Sequence, residues 1–522
     1  MTSAIRVPSQ PGRLVSPSRR YIWLAVALFV LHAALMLFRY GQLPVAPVLG
    51  DEVIINDPAV SLGLGQGYAA RSFASSPYGI DRLFAHFPPL YPLTESLAIR
   101  AFGVSVYSLR LTTTVMSIAE TAVLLLLLYW LCRFNLLDFT TAGLVGTVYS
   151  TCTPLIVRER MARMESMVGM LVLLCFWAIL LAIVQPDEKR ARPWLIAAGI
   201  FAGLSMAVHP EAVSAIVLLA PVMLFAASGN VFAKFAGAAL TGIVPMAVWI
   251  LTFGSRSSEA MTQFRSILHR ATPTDPGIGL WLRSLPRLNS LAGTNVALLM
   301  LSVLLLLLSV LLAFFFCARK LDHWSIRYRL AFCFAVGAVL ELGVMEWGLH
   351  IDNTRYQFLI GPLLIALAIT AKGNEMLSRR QLWTGCLVVC IELAGVAGYL
   401  HARKNRIAEM NPDRFMPIVR SLGPEDMVVV TPGLWLDMRE SRHPFTLLYQ
   451  GFDGEDSWEK VTGNPLDRFD TVILERSGYT AKTKLEEYAA SGRAETTYFL
   501  GGEVIDVYRR SVSAGQHLQG PQ

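Results

Sequence analysis

Runs of mostly apolar residues, each about 20 long, recur along this chain. A helix that rises about 1.5 Å per residue needs that length to cross about 30 Å of hydrocarbon. The runs are Tyr21–Phe38, Leu111–Leu131, Phe139–Val157, Glu165–Val184, Trp194–Val208, Ala212–Ser228, Phe235–Phe253, Val296–Cys317, Leu330–Gly348, Tyr356–Ala371 and Leu382–Leu400. They predict about eleven spans, with Trp194–Val208 short for one and the flanks of Leu111–Leu131 loosely defined. Of 522 residues, 54% are hydrophobic and 16% charged. The expected fold class is therefore an α-helical polytopic membrane protein, and a soluble enzyme is excluded. Residues 1–20 are polar and carry Arg6, Arg13, Arg19 and Arg20. No clear small-residue cleavage site follows the first run, so the start reads as a cytoplasmic tail rather than a cleaved signal.

The net charge of +7 does not call for nucleic acid, because the basic residues gather beside apolar runs. There, orientation and anionic lipid headgroups explain them. With the N-terminus in the cytoplasm, the inner loops receive Arg133, Lys189-Arg190-Ala191-Arg192, Lys234, Arg319-Lys320 with Arg327 and Arg329, and Lys372 with Arg379-Arg380. The outer face then receives Gly50–Arg110, Arg158–Arg163, His209-Pro210-Glu211, Gly254–Asn295, Leu349–Arg355 and everything after about residue 401. Arginines on that face (Arg158, Arg160, Arg163, Arg256, Arg265, Arg270, Arg283, Arg287 and Arg355) are not required for orientation. Long loops translocate despite their charge, which covers Arg256 to Arg287 better than the short Arg158–Arg163 turn. A phosphate-bearing ligand would give them work, since a guanidinium pairs phosphate oxygens two at a time.

Seven cysteines lie in or beside apolar runs with no disulfide or zinc spacing, and Cys386 and Cys390 read as core thiols. Composition shifts after residue 400. Met427–Val430 and Thr471–Leu474 are short buried-strand runs, Leu485–Ser491 is helical in pattern, and Thr496–Tyr508 reads as a closing strand or hairpin around Gly501-Gly502. Residues 401–522 thus form a small α/β domain outside the membrane, with a polar, disordered end, following a transmembrane domain over 21–400. No internal repeat, phosphate loop or dinucleotide fingerprint is present.

The polar stretch 39–110 is the first outer loop. It holds Asp51-Glu52 where the first span hands over, an apolar face from Val53 to Leu64 interrupted early by Pro58, and the turn Gly63-Leu64-Gly65-Gln66-Gly67-Tyr68. His86-Phe87-Pro88-Pro89-Leu90-Tyr91-Pro92 then enters a second helical pattern, Leu90–Phe102. Two short juxtamembrane helices on the bilayer surface follow. An acidic pair after the first span, a Gly-x-Gly-Tyr turn and a Pro-Pro-Leu-Tyr-Pro entry resemble the first external loop of GT-C glycosyltransferases. The resemblance is to the branch with the protein O-mannosyltransferases and the lipid A aminoarabinose transferase. It covers roughly the first two-fifths of the chain by motif and the rest by hydropathy.

The resemblance implies transfer of a sugar from a polyprenyl-phosphate-sugar donor to a glycan, lipid or protein acceptor on the outer face, with inversion. It implies a multi-pass protein of the cell (inner) membrane with an extracytoplasmic, periplasmic C-terminal domain. No nucleotide cofactor is required; a divalent metal is allowed by relatives, but no ligand set here demands one. Asp51 would activate or orient the acceptor, with Glu52 beside it; the competing reading is a helix N-terminal acidic pair that complements the dipole. Arg163 and Glu165 match the Arg-x-Asp/Glu that opens the fourth span in the family. Arg163 would bind donor phosphate and Glu165 would be the second carboxylate. Arg158 and Arg160 rest on charge alone. Arg160 and Arg163 would share a helical face, and Glu159 could simply pair with Arg163 four residues on. His86 could meet a phosphate or cap a proline turn, Tyr68 reads as packing, and His209 reads as structural. Arg355 is placed to reach a donor phosphate. Glu341 sits in an apolar run as a functional or paired core group, with Glu120 and Glu392 similar but without a role. The alternative is a transporter or flippase of a lipid-linked or anionic substrate, which predicts charges converging at mid-bilayer and paired halves.

Overall fold

The computed structural model describes residues 19–38, 50–73, 79–185, 187–227, 231–271, 326–348, 357–371, 376–404, 415–424, 426–430, 432–441, 443–447, 470–475, 493–500 and 503–510. The expected span Val296–Cys317, the helix Leu485–Ser491, Arg355 and the polar C-terminal end lie outside them.

The apolar runs become α1 (Arg19–Leu37), α4 (Val106–Arg133), α5 (Phe139–Ser150), α7 (Glu165–Val184), α8 (Glu188–Val208), α9 (Val213–Pro221), α10 (Val231–Phe253), α12 (Ile326–Gly348), α13 (Gln357–Ala371) and α14 (Arg379–Lys404). Between them stand α2 (Gly50–Gly63), α3 (Leu90–Phe102), α6 (Thr153–Arg158) and α11 (Ser257–Ala271). Five helices among the described residues are long and apolar enough to cross a membrane. The run Phe139–Val157 breaks at Thr151–Cys152 into α5 and α6. The Glu392 carboxylate of α14 accepts the Thr153 N–H at the start of α6 (2.7 Å), which gives that intramembrane acid a capping role. The short run Trp194–Val208 is the end of a longer helix, capped by Asp187, whose side chain accepts from Arg190 N–H.

α7 is central, packed by α4, α8 and α13. α8 and α10 approach so closely that a side chain on Gly199 would strike the Gly237 backbone, as small residues permit between membrane helices. Outward faces are apolar: Phe232, Phe235, Leu251 and Trp383 are exposed, which suits contact with lipid rather than water. Cys386 and Cys390 are also exposed on α14 and are not core thiols; their helix presents most of its surface outward.

The Val53–Leu64 pattern forms one helix, and Pro58 does not interrupt it. From Glu52 to Ser61, α2 is buried on every side although it carries Glu52, Asn56, Asp57 and Ser61. A helix can be covered this way only if its polar groups find partners. After it, the turn has Gly65 and Gly67 at φ 75° and 87°, a conformation that side chains resist.

The tail forms a five-stranded sheet: β1 (Val428–Val430), β2 (Phe445–Leu447), β3 (Thr471–Glu475), β4 (Arg493–Leu500) and β5 (Glu503–Arg510), ordered β2-β1-β3-β5-β4. β1 is parallel to β2 and β3, and β4–β5 is the expected hairpin. Two short helices, α15 (Met416–Arg420) and α16 (Trp435–Ser441), accompany it.

The domain is latched to α2 through Asp57, which is fully buried. Its carboxylate accepts from Ser72 N–H (2.9 Å), Ser72 Oγ (2.6 Å) and Trp435 Nε1 (2.8 Å), and pairs with Arg439 Nε at 3.1 Å. Arg439 Nη2 also donates to Ser61 Oγ (2.6 Å). A buried charge left without its partner costs about 3–5 kcal/mol. Asp57→Asn strands the Arg439 guanidinium, so hydrogen exchange of the β1 and β3 amides should accelerate by orders of magnitude in the detergent-solubilised protein. Unchanged protection would show that the latch lies elsewhere.

Candidate active site

The Arg158–Glu165 segment is not a continuous helix. α6 ends at Arg158, residues 159–164 turn, and α7 opens at Glu165. Arg160 and Arg163 therefore do not share a helical face.

The turn is gripped from two sides. Glu52 Oε1 accepts the Ala162 N–H (2.8 Å), and Asn56 Nδ2 donates to the Ala162 carbonyl (2.9 Å). On the other side Thr113 Oγ1 of α4 bonds both the Arg163 carbonyl (2.8 Å) and its N–H (3.1 Å). Tyr91 Oη of α3 holds Thr113 Oγ1 at 2.8 Å. With its backbone fixed, Arg163 sends Nε (2.8 Å) and Nη2 (2.7 Å) to Glu165 Oε1. Glu165 Oε2 takes no hydrogen bond among the described residues.

Glu52 meets Arg110 through two bonds, Nε to Oε1 at 3.1 Å and Nη2 to Oε2 at 3.3 Å, with 3% of each side chain exposed. Arg163 and Glu165 keep 12% each. The second pair is the less enclosed of the two. Asp51 occupies the first turn of α2, one residue before Glu52, and so begins beside the same turn. Arg160 reaches back to the end of α1, where Nη2 donates to the carbonyls of Leu35 and Phe38 (2.9 Å for the latter). Its guanidinium holds the turn to the first span. Arg158 is the last residue of α6.

Glu159 is buried and accepts from Ser117 Oγ, and burial raises its pKa above the usual carboxylate range. Ser117 Oγ in turn meets His32 Nε2 at 3.0 Å. Glu120 accepts from Tyr149 Oη (2.5 Å) against Gly169. These acids belong to the interior of the bundle.

His86 is buried and stacked on Phe84 (5.6 Å). Burial pushes its imidazole down to about 4 against an opposing bond from Gln263, so it is neutral at pH 7 and brings no charge to a phosphate. Gln263 of α11 fastens that loop, accepting from Ala85 N–H (2.5 Å) and donating to the Leu83 carbonyl (3.0 Å). His209 stacks on Phe87 (6.0 Å), and its Nδ1 accepts the Glu211 N–H (3.2 Å), a capping role. Tyr68 packs edge-on against Phe84 and Phe253. Loops that the charge pattern assigned to one end of the spans thus meet each other here.

Thr113, Tyr91, Arg110 and Glu95 escaped the sequence reading. The run Thr112-Thr113-Thr114 at the start of an apolar helix was the available signal. Among the described residues no group of three His, Cys, Asp or Glu is placed to hold a metal.

No family model matches the sequence, and no curated protein matches it. Among solved structures, the chain is similar to ArnT from Cupriavidus metallidurans bound to undecaprenyl phosphate. Identity is 12% and the TM-score 0.51, over 97% of this chain and 100% of that one. It is also similar to the Archaeoglobus fulgidus oligosaccharyltransferase in complex with Zn and sulfate, at 12% identity and TM-score 0.51, over 91% of this chain and 72% of that one. The chain shares the fold of these two proteins, the GT-C type expected from the sequence.

Glu95 of α3 is fully buried and neither carboxyl oxygen has a hydrogen bond among the described residues. Burial first, then the Glu52 carboxylate, raise its pKa well above 4.5. A carboxyl raised on folding makes the folded state bind more protons than the unfolded one. Its share of stability is complete below about pH 4.5 and is lost as pH rises toward the folded value. The melting temperature of Glu95→Gln minus that of the wild type should therefore climb between pH 4 and pH 8. Parallel melting curves would show Glu95 to be charged or paired.

Proposed function

We propose that the chain transfers a sugar from a polyprenyl-phosphate sugar to an acceptor at the outer face of a cell membrane, by direct displacement with inversion. The observation that carries this is the Arg163–Glu165 pair. On a GT-C fold it stands at the opening of α7, its backbone clamped by Thr113, Glu52 and Asn56, and it keeps more exposure than the Glu52–Arg110 pair behind it. The structural neighbour that holds undecaprenyl phosphate supports a lipid-phosphate donor.

In this reading the acceptor oxygen attacks the anomeric carbon while the bond from that carbon to the phosphate oxygen breaks, and lipid phosphate leaves with its electron pair. Negative charge grows on that phosphate. The Arg163 guanidinium, preset by its clamped backbone, stabilises it without reorganising. Arg158 and Arg355 would add positive charge on the same side. Asp51 takes or orients the acceptor's proton, and Glu165 Oε2 accepts a second hydrogen bond from the acceptor. Glu52 and Arg160 are positioning residues: one holds Arg110 and the turn, the other ties the turn to α1. The N-terminus is cytoplasmic, and residues 401–522 form the outer domain.

Purified protein incubated with polyprenyl-phosphate sugars and acceptor should release free polyprenyl phosphate. Arg163→Gln should lower kcat by about 10²–10³, the range for loss of one charge-stabilising donor. Asp51→Asn should lower release strongly, and Glu165→Gln should raise the KM for acceptor as well. Full release by Arg163→Gln would remove it from the phosphate, and no release from any donor would remove the reading.

A further inference from the structure

A cleft of about 660 Å³ lies between the first outer loop and the C-terminal domain, one face from Leu64, Gln66 and Arg71, the other from Arg439, His443 and Phe445. That volume falls within the roughly 300–1,000 Å³ of small-molecule sites. The latch described above forms its wall. Arg439 is occupied there: it pairs with Asp57 and bonds Ser61 Oγ, and its Nη1 meets Gln66 Oε1 at 3.3 Å. Asp57 is fully buried and paired with Arg439, so it presents no free negative charge to the cleft.

Arg71 differs. It is exposed, its Nη2 donates to the Gln66 carbonyl (3.0 Å), and it meets no carboxylate among the described residues. The Nε2 of His443 is shielded from solvent and has no hydrogen-bond partner among them. Among the described residues the lining therefore offers one guanidinium that meets no carboxylate, an amide and the apolar surfaces of Leu64 and Phe445. A ligand matched to it carries one negative charge, several hydroxyls and an apolar face of C–H groups.

We propose that this cleft binds an anionic sugar residue of the acceptor, its carboxylate or phosphate on Arg71 and its ring against Phe445. Assigning the ligand to the acceptor rests on the transferase reading above. From Glu52, beside the Arg163 turn, to Gly63, just before the cleft, α2 rises about 16 Å. The cleft would thus hold a non-reacting residue of the acceptor, whose binding energy positions the reacting one.

The test titrates full-length detergent-solubilised protein with four probes by calorimetry: a glucuronic acid–glucose disaccharide, its neutral counterpart cellobiose, glucose 6-phosphate and inorganic phosphate. At least one charged sugar should bind 10-fold or more tighter than both cellobiose and inorganic phosphate, and which one does so distinguishes carboxylate from phosphate. Arg71→Gln, a change at an exposed position whose folding is checked by its melting temperature, should weaken that probe at least 10-fold. Equal binding of charged and neutral sugars, equal binding of inorganic phosphate, or binding indifferent to Arg71→Gln would each overturn the proposal. Donor turnover by the wild type is measured alongside. Turnover without selective sugar binding refutes this inference alone, whereas absent turnover refutes the transferase reading and leaves the binding comparison to decide this one.

Discussion

The carboxylate of Glu52 meets Arg110 from α4 and the Ala162 amide from the turn before α7, and these contacts join three parts of the chain at one buried point. A buried carboxylate persists only when its lone pairs are filled and its charge is matched. Here Arg110 supplies the charge and two donors, and the turn supplies a third. Asn56, one helical turn further along α2, takes the Ala162 carbonyl. The turn that carries Arg163 thereby depends on a helix about a hundred residues earlier. The Arg163–Glu165 pair inherits its direction from that hold and from Thr113 on the opposite side.

The same helix serves the other end of the site. Asp57 lies five residues after Glu52 and points its charge at the C-terminal domain, where Trp435 and Arg439 complete it. Two carboxylates on one covered helix thus set two relations. Glu52 ties α2 to the spans, and Asp57 ties it to the C-terminal domain. Pro58 stands within this helix and yet does not end it. The missing N–H and ring clash of an interior proline cost about 3 kcal/mol, and the partners gathered by Glu52, Asn56 and Asp57 stabilise the helix against that cost. On the proposed transferase reading rigidity at this point matters, because a guanidinium already in place stabilises developing charge without reorganising.

Much of the fold was legible along the chain. Apolar length located the helices, as in α7 and α13, and short β-branched runs between turn residues located β1 and β3. The hairpin β4–β5 followed from Gly501-Gly502. The strand β2 was not legible, since Phe445–Leu447 is three residues long and gains its regularity only from pairing with β1. Of the candidate site, Arg163 and Glu165 bond each other, which two residues so near in sequence can do without help from distant segments. The expected helical face joining Arg160 to Arg163 failed, since the segment turns there. Arg160 faces α1 instead.

The sequence by itself determined which segments are helices, which loops share an end of the bundle and which side chains near that end carry charge. Those properties are local, because burial in hydrocarbon and the periodicity of a helix act over a few turns. Only the tertiary structure decided that Glu52 belongs to Arg110, that Thr113 and Tyr91 hold the Arg163 turn, and that Asp57 waits for Trp435 from the far end of the chain. A carboxylate's role is set by whatever donors stand within about 3 Å of it, and separation along the chain carries no information about that distance.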